Sequence, residues 1–336
     1  LAANVYILGS GRILTGIGVG GMLAAVPATA AEYCNNKNRS LAVIFVAGGY
    51  SFGIYLGATF LAPLLKQYDW RITFYLGAAI SFFFIPIVYF FAPETISYLN
   101  RKRPKGALGK IQTILKKLGH DTIEKLGPVP SNTEEKISPI TLFKPHIAVV
   151  TIILTLAYFG NIGTYYYYVK WLPTIVTDLG YTKSEATSVL GMISLGGVFG
   201  SIGVGLIARF VSIKPLMLVT LLSSAIGVAL FPYFAESLSQ LKMVGFVTGL
   251  MIFGAISGFF GLFVAAYPTS LLSAGTGFVL GIGRGGAVLG PFIPGLLFTA
   301  GLDLKMVAII MATGSFIAAF IILFLPKISE EVIVQY

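Results

Sequence analysis

Apolar runs of about twenty residues follow one another along this chain, and the only long stretch without one is Tyr98 to Pro145. A helix of about twenty residues spans the hydrocarbon core of a bilayer. The pattern predicts nine spanning helices, at 5–31, 41–65, 72–92, 147–170, 185–208, 215–234, 241–266, 276–300 and 304–325. Pro63, Pro173, Pro215, Pro268 and Pro326 fall near the ends of these runs, where a missing amide donor matters least. In the polar centre, Leu108, Ile111, Leu115 and Leu118 recur at i, i+3, i+7 and i+10, while Lys110, Gln112, Lys116 and Lys117 largely avoid that stripe. This spacing predicts a basic amphipathic helix, either lying on the membrane surface or packed on the ends of the spanning helices.

Composition agrees with a lipid solvent. The chain is 56% hydrophobic and only 11% charged, where a soluble domain carries about 25% charged residues. Its formal charge of +10 needs no nucleic acid to explain it. Lys and Arg collect on the cytoplasmic side of membrane proteins. If the central segment is cytoplasmic, so are 32–40, 209–214, 267–275 and the tail at 326–336. The basic residues then favour the inside, so the expected place is the cell membrane, with central loop and C-terminus in the cytoplasm. A single cysteine, Cys34, excludes an intrachain disulfide, and His120 and His146 have no partner motif, so no metal or cofactor is expected.

Enzyme signatures are missing. The chain has no phosphate-binding Gly-x4-Gly-Lys-Ser/Thr loop, no His-Glu-x-x-His, no nucleophile elbow and no paired carboxylates within a span. Two runs, Gly16 to Gly21 and Gly281 to Gly286, match the dinucleotide fingerprint. Each lies inside an apolar span, without a preceding strand or a following acid, so neither is read as a nucleotide site. Glycines at helical spacing, Gly49, Gly53 and Gly57 or Gly286 and Gly290, are read instead as places where helices approach closely. Gly290-Pro291 is an expected kink.

A weak repeat divides the chain. Glu32-Tyr33 parallels Ala266-Tyr267, and Gly53 to Gly57 parallels Gly286 to Gly290. Shifting His146 back by the same offset lands about 88 residues before Leu1, room for three helices, and parallel repeats of six plus six helices are a transporter plan. The expected organisation is therefore helices four to twelve of twelve. Residues 1–97 would be the rest of an N-terminal bundle, 98–145 a cytoplasmic loop, and 146–336 a C-terminal six-helix bundle with a short tail.

Several motifs carry a resemblance. They are Arg12 to Gly18, Glu32-Tyr33 with Arg39, Trp70-Arg71 with Phe74, Pro93-Glu94-Thr95 with Tyr98-Leu99, and Trp171-Leu172-Pro173. The most specific piece runs from Tyr267-Pro268-Thr269 through Gly281 to Arg284 and Gly290-Pro291. Together they resemble the major facilitator superfamily, and within it the aromatic acid:proton symporter branch. The resemblance implies an all-α membrane protein that moves a small organic acid with protons by alternating access, as a monomer. A porter for a sugar or another metabolite, and a membrane sensor without transport, are the alternatives. Two departures stand out. Leu272 stands where the branch usually has Arg, and Gly205 to Lys214 lacks the acid and second Gly of the usual loop pattern.

Six residues are candidates for function. Arg12 and Arg284 lie inside spans, where a guanidinium costs about 2.5–3.5 kcal/mol unless it faces a cavity or a partner. Arg12 could grip a carboxylate in bidentate fashion or simply brace backbone carbonyls; Arg284 could attract an anion or tie its helix to a neighbour. Tyr158, Asn161, Tyr165 and Tyr168 share one helix face. That polar, aromatic stripe suits a flat aromatic anion, with Asn161 and Tyr165 its best contacts; interhelical packing is the plainer explanation. The resemblance adds a proton-coupling role for Arg12 and a cytoplasmic gating network containing Glu32 and Arg39. Lys170 lies near a span end, where its ammonium can snorkel to water.

Overall fold

The computed structural model describes residues 4–34, 39–65, 67–92, 94–123, 125–126, 142–234, 236–267 and 269–326. Twelve α-helices occur among them. They are α1 (Val5–Glu32), α2 (Arg39–Leu64), α3 (Ile72–Phe91), α4 (Ile96–Lys102), α5 (Ala107–Lys117), α6 (Pro145–Asp178), α7 (Lys183–Ile207), α8 (Ile213–Leu230), α9 (Leu238–Ala266), α10 (Thr269–Gly283), α11 (Gly285–Thr299) and α12 (Leu304–Leu323). No strand occurs among the described residues. Most of the tail at 326–336, the part of the central loop at 127–141, and Pro93 and Pro268 of the quoted motifs lie outside the described residues.

Every expected span coincides with a helix. Eight stretches are long and apolar enough to cross a membrane, with α10 and α11 counted together. The ninth expected position is held by α2, 26 residues long, which is not among those eight. Local chemistry sets several starts. Asn4, Ser237 and Asp303 accept amide bonds at the N-termini of α1, α9 and α12. Thr182 and Glu185 form a reciprocal capping box on α7.

Three expectations need correction. The helix expected to end at residue 170 runs on through Pro173 to Asp178. The lost amide is tolerated because Leu172, Ile175 and Val176 are buried among Val189, Val228 and Phe231. The single helix expected over 276–300 is two. Arg284, at φ −66° and ψ −9°, separates them, and the Ala287 amide bonds back only three residues, to the Arg284 carbonyl, at 2.8 Å. The break thus falls at Arg284, and α11 continues through Pro291 and Pro294. Finally, Gly49, Gly53 and Gly57 make no close approach: among the described residues nothing lies within 4 Å of where a methyl group would stand.

The chain forms two compact units. One comprises Leu1–Ala47 and Phe82–Thr133, the other Gly48–Ser81 and Glu134–Tyr336. In the first, no residue from Val5 to Met22 of α1 is buried, as for a helix apolar on all sides that meets lipid or other spans. The basic helix α5 packs on α4: Ala107, Ile111 and Ile114 cover Leu99, with Ile96, Leu115, Tyr33 and Leu126 around them. Its buried stripe therefore includes Ile114 and leaves Leu118 exposed, because α4 decides which face is covered. The Tyr33 hydroxyl donates to the Glu94 carbonyl at 2.8 Å, and Lys110 pairs with the Glu94 carboxylate at 2.8 Å.

The second unit is built around α6, which packs against α7, α9, α10, α11 and α12, while α7 pairs with α9 and α8 with α9 and α12. Small residues set the spacing. A methyl group on Gly160 of α6 would lie 2.6 Å from the Gly314 carbonyl oxygen of α12, and one on Gly290 of α11 would lie 2.5 Å from the Gly163 carbonyl oxygen. Buried hydroxyls bond across these seams, as in Ser201 with Ser257 at 2.8 Å. Lys214, at the start of α8, donates to the Leu323 and Leu325 carbonyls at the end of α12, at 2.9 and 3.0 Å. The sequence offers it only as an inside-facing charge.

Candidate functional site

The middle of α6 carries the run Thr164-Tyr165-Tyr166-Tyr167-Tyr168, and four consecutive tyrosines on a helix point four ways. Tyr168 turns to Phe231, ring to ring at 5.3 Å. Tyr165 packs edge-on against Phe253 of α9 and against Tyr166, at 5.0 and 5.1 Å. Two turns earlier, Tyr158 packs edge-on against Phe259 and Phe263 of α9, at 5.2 and 6.0 Å. Such arrangements leave each ring fixed by its neighbours.

Arg284 meets this face from the α10–α11 break. Its guanidinium lies near the Tyr158 and Tyr166 hydroxyls. The glycines beside it make that approach possible. A methyl group on Gly283 would lie 2.6 Å from the Tyr158 ring, and one on Gly285 would lie 3.0 Å from the Phe159 ring. Tyr50 joins from the part of α2 that belongs to the same unit. Its hydroxyl stands 3.5 Å from that of Tyr165. That segment of α2 is tied to α7, where the Ser184 hydroxyl donates to the Ala62 carbonyl at 2.9 Å.

Arg284 makes no ion pair among the described residues, where the two salt bridges are Arg71–Asp69 and Lys110–Glu94. A half-buried guanidinium at a helix break within a membrane bundle, near phenols and without a carboxylate partner among the described residues, has the chemistry to attract an anion. No group of acidic, histidine or cysteine side chains suited to a metal occurs among the described residues.

Of the expected site residues, the structure brings Tyr165 and Arg284 to one cluster, with Tyr158 of the same stripe. Asn161 is fully buried on the α12 side, its carbonyl oxygen accepting from the Ser315 hydroxyl at 3.0 Å. Its amide nitrogen has no partner among the described residues. Nearby, the Thr164 hydroxyl donates to the Met311 carbonyl at 2.7 Å and accepts from the Ser315 amide at 3.0 Å. Arg12 lies exposed on α1, in the first unit. Glu32 closes α1 and Arg39 opens α2, and their side chains, like that of Leu272, lie outside the described ones. Two members of the cluster were missed by the sequence reading. Tyr166 is off the stripe by one residue, and Tyr50 belongs to a distant helix whose periodicity gives no signal. Lys170 is exposed, as the snorkelling reading expects.

A bundle of membrane-length helices is the architecture of a transporter, and comparison with known proteins agrees on the class. The sequence matches the Major Facilitator Superfamily over residues 1–282 and 154–333, and the chain belongs to that family of membrane transporters. It is 28% identical over 326 residues to a gallate transporter of Pseudomonas putida, covering 96% of this chain and 72% of that one. It is 27% identical over 322 residues to a 4-hydroxybenzoate transporter of Acinetobacter baylyi, covering 92% and 69%. A benzoate transport protein of the same organism is 27% identical over 290 residues, covering 86% and 62%. These relatives are transporters, not enzymes. Among solved structures, the fold is similar to that of a proton:xylose symporter, with TM-score 0.67 at 17% identity, covering 94% of this chain and 70% of that one. The Escherichia coli fucose:proton symporter gives 0.60 at 11% identity, covering 97% and 78%.

Proposed function

We propose that this chain carries small aromatic carboxylates across the membrane together with protons. The observation that carries the reading is Arg284, a guanidinium at the α10–α11 break with no ion pair among the described residues, near Tyr158 and Tyr166. Arg284 receives the carboxylate; Tyr158, Tyr165, Tyr166 and Tyr50 surround the ring. Asn161 supplies a further donor through its amide nitrogen, which is without a partner among the described residues. Transporters of gallate, benzoate and 4-hydroxybenzoate among the relatives support the substrate class. Proton symporters among the fold neighbours support the coupling.

Arg12 serves the proton step, and Glu32 and Arg39 belong to the cytoplasmic gate. The protein works as a monomer by alternating access, with residues 1–97 and 146–336 as its two moving bundles. The loop at 98–145 and the C-terminus lie in the cytoplasm, an orientation that the excess of Lys and Arg supports.

Uptake of labelled 4-hydroxybenzoate into proteoliposomes tests this, with and without an inward proton gradient. Gradient-driven uptake that benzoates compete, that glucose does not, and that Arg284→Gln abolishes is the expected result. Uptake of glucose instead, or uptake indifferent to Arg284, would refute it.

A further inference from the structure

We propose that the basic face of the α4–α5 helix pair docks on the headgroups of anionic phospholipids, at the face of the membrane where α1 and α3 end. The inference concerns the first unit alone and is independent of which ligand the protein carries.

The position of the pair is the first observation. Helix α3 ends at Phe91 and α4 begins at Ile96, so a short connection, 92–95, leads from a spanning helix straight into the pair. The end of α1 stands at the same level. Tyr33, its C-terminal cap, donates its hydroxyl to the Glu94 carbonyl at 2.8 Å and packs with Ile96 around Leu99. Tyr89, near the end of α3, and Tyr98, on α4, are both exposed, and tyrosines collect at the level of the headgroups. The pair therefore lies at the boundary between hydrocarbon and water.

Charge is the second. Arg103, at φ 46°, and Gly106, at φ 79°, take left-handed conformations on either side of Pro104 and Lys105, and they fold α5 back onto α4. That turn sets Lys102, Arg103 and Lys105 at one end of α5. Lys116 and Lys117 stand at the other end, about 15 Å away along the axis, far enough to engage a separate headgroup. All five are exposed. Among the described residues from 94 to 123 the acids are Glu94, already paired with Lys110 at 2.8 Å, and Asp121. Lys102, Lys105, Lys116 and Lys117 form no ion pair among the described residues. Clusters of roughly four to eight Lys and Arg beside a spanning helix attract anionic lipid.

Packing is the third, and it decides the mode of contact. A basic amphipathic helix usually sinks its apolar stripe into the lipid. Here Ala107, Ile111 and Ile114 are already covered by α4. The side left to meet the membrane is the lysine side, with Leu118 exposed directly after Lys117. An ammonium on a flexible stem is a point charge that can follow a mobile phosphate. An acidic protein would also supply negative charge, but headgroups already stand at this depth.

Native mass spectrometry of the purified chain, with phosphatidylglycerol and phosphatidylcholine offered in equal amounts, tests the proposal, together with amide exchange in nanodiscs of either lipid. One basic residue near an anionic surface strengthens binding by about fivefold. The wild type should therefore retain phosphatidylglycerol over phosphatidylcholine by at least about fivefold, and amides 107–117 should exchange more slowly in the anionic discs. Salt at about 1 M, where the screening length falls to about 3 Å, should erase that difference in exchange. Lys105→Gln, Lys116→Gln and Lys117→Gln together should bring the lipid ratio to within about twofold of one. Gln is as good a helix former as Lys, so that loss does not reflect a melted α5, and Arg at the same three positions should keep the ratio. Lys183→Gln, Lys242→Gln and Lys305→Gln together remove the same charge from the second unit and should also keep it. A wild-type ratio near one, or an equal loss in the two Gln variants, would overturn the proposal. Exchange of α5 that is indifferent to lipid charge would overturn it too and leave this face to an acidic protein.

Discussion

Gly160→Ala adds one methyl group where α6 and α12 touch backbone to backbone. The new carbon would lie 2.6 Å from the Gly314 carbonyl oxygen and 3.3 Å from its carbon. Carbon–oxygen contacts settle at about 3.3 Å, so the helices must part by roughly 0.7 Å at this level. Backbone cannot step aside as a long side chain can. Forced overpacking costs about 1–3 kcal/mol. Three hydrogen bonds cross the same seam, from Thr164 to Met311 and from the Ser315 amide and hydroxyl to Thr164 and Asn161, at 2.7–3.0 Å. Bonds of this kind between membrane helices average about 0.6 kcal/mol, and all three lengthen together. The expected loss is therefore about 3–5 kcal/mol. Reversible unfolding of the purified protein in mixed micelles with rising SDS would measure it. Gly57→Ala, at a site with nothing within 4 Å among the described residues, is the control. Equal unfolding midpoints for the two variants would refute the argument that this interface is held at glycine distance.

Asn161→Leu removes a buried amide nitrogen without a partner among the described residues but also the acceptor of the buried Ser315 hydroxyl, so stability should change by less than about 1 kcal/mol, while affinity for 4-hydroxybenzoate should fall; unfolding and binding run on one preparation would show whether the two part. Lys214→Met deprives the end of α12 of two charged donors. A loss of about 1 kcal/mol, with faster amide exchange confined to the last turn of α12, is the expected signature. Lys110→Gln should change stability by less than about 0.5 kcal/mol and lose even that in high salt, because both partners of the Lys110–Glu94 pair are about half exposed; a larger effect in salt titrations of unfolding would contradict this.

Run length alone located the spanning helices, since a bilayer demands about twenty apolar residues wherever the chain crosses it. Their ends and breaks were harder to read. Pro173 looks like a terminus, yet Ile175 and Val176 are buried in a core made by residues far along the chain, and that burial outweighs a missing amide. The break at Arg284 sits in a glycine-rich run that suggests close helix approach rather than a break, and the kink expected at Gly290-Pro291 points further along the chain. Periodicity correctly grouped Tyr158 and Tyr165 on one face of α6. It could not tell that Asn161, on the edge of the same stripe, would be claimed by Ser315, or that Tyr166 and Tyr50 would complete the cluster. Which neighbour covers each face is a property of the assembled helices, and for α5 the same ambiguity exchanged Leu118 for Ile114.

At 34 residues, α6 is about 51 Å long, against a hydrocarbon core of about 30 Å. Such a helix must either lean steeply or stand well clear of the lipid at one end. Because its centre holds the tyrosines, any change of lean would rotate Tyr158 and Tyr165 relative to Arg284. If Arg284 receives the carboxylate as proposed, the thickness of the host membrane becomes a variable of ligand affinity, and lipids of different chain length a tool for tuning it.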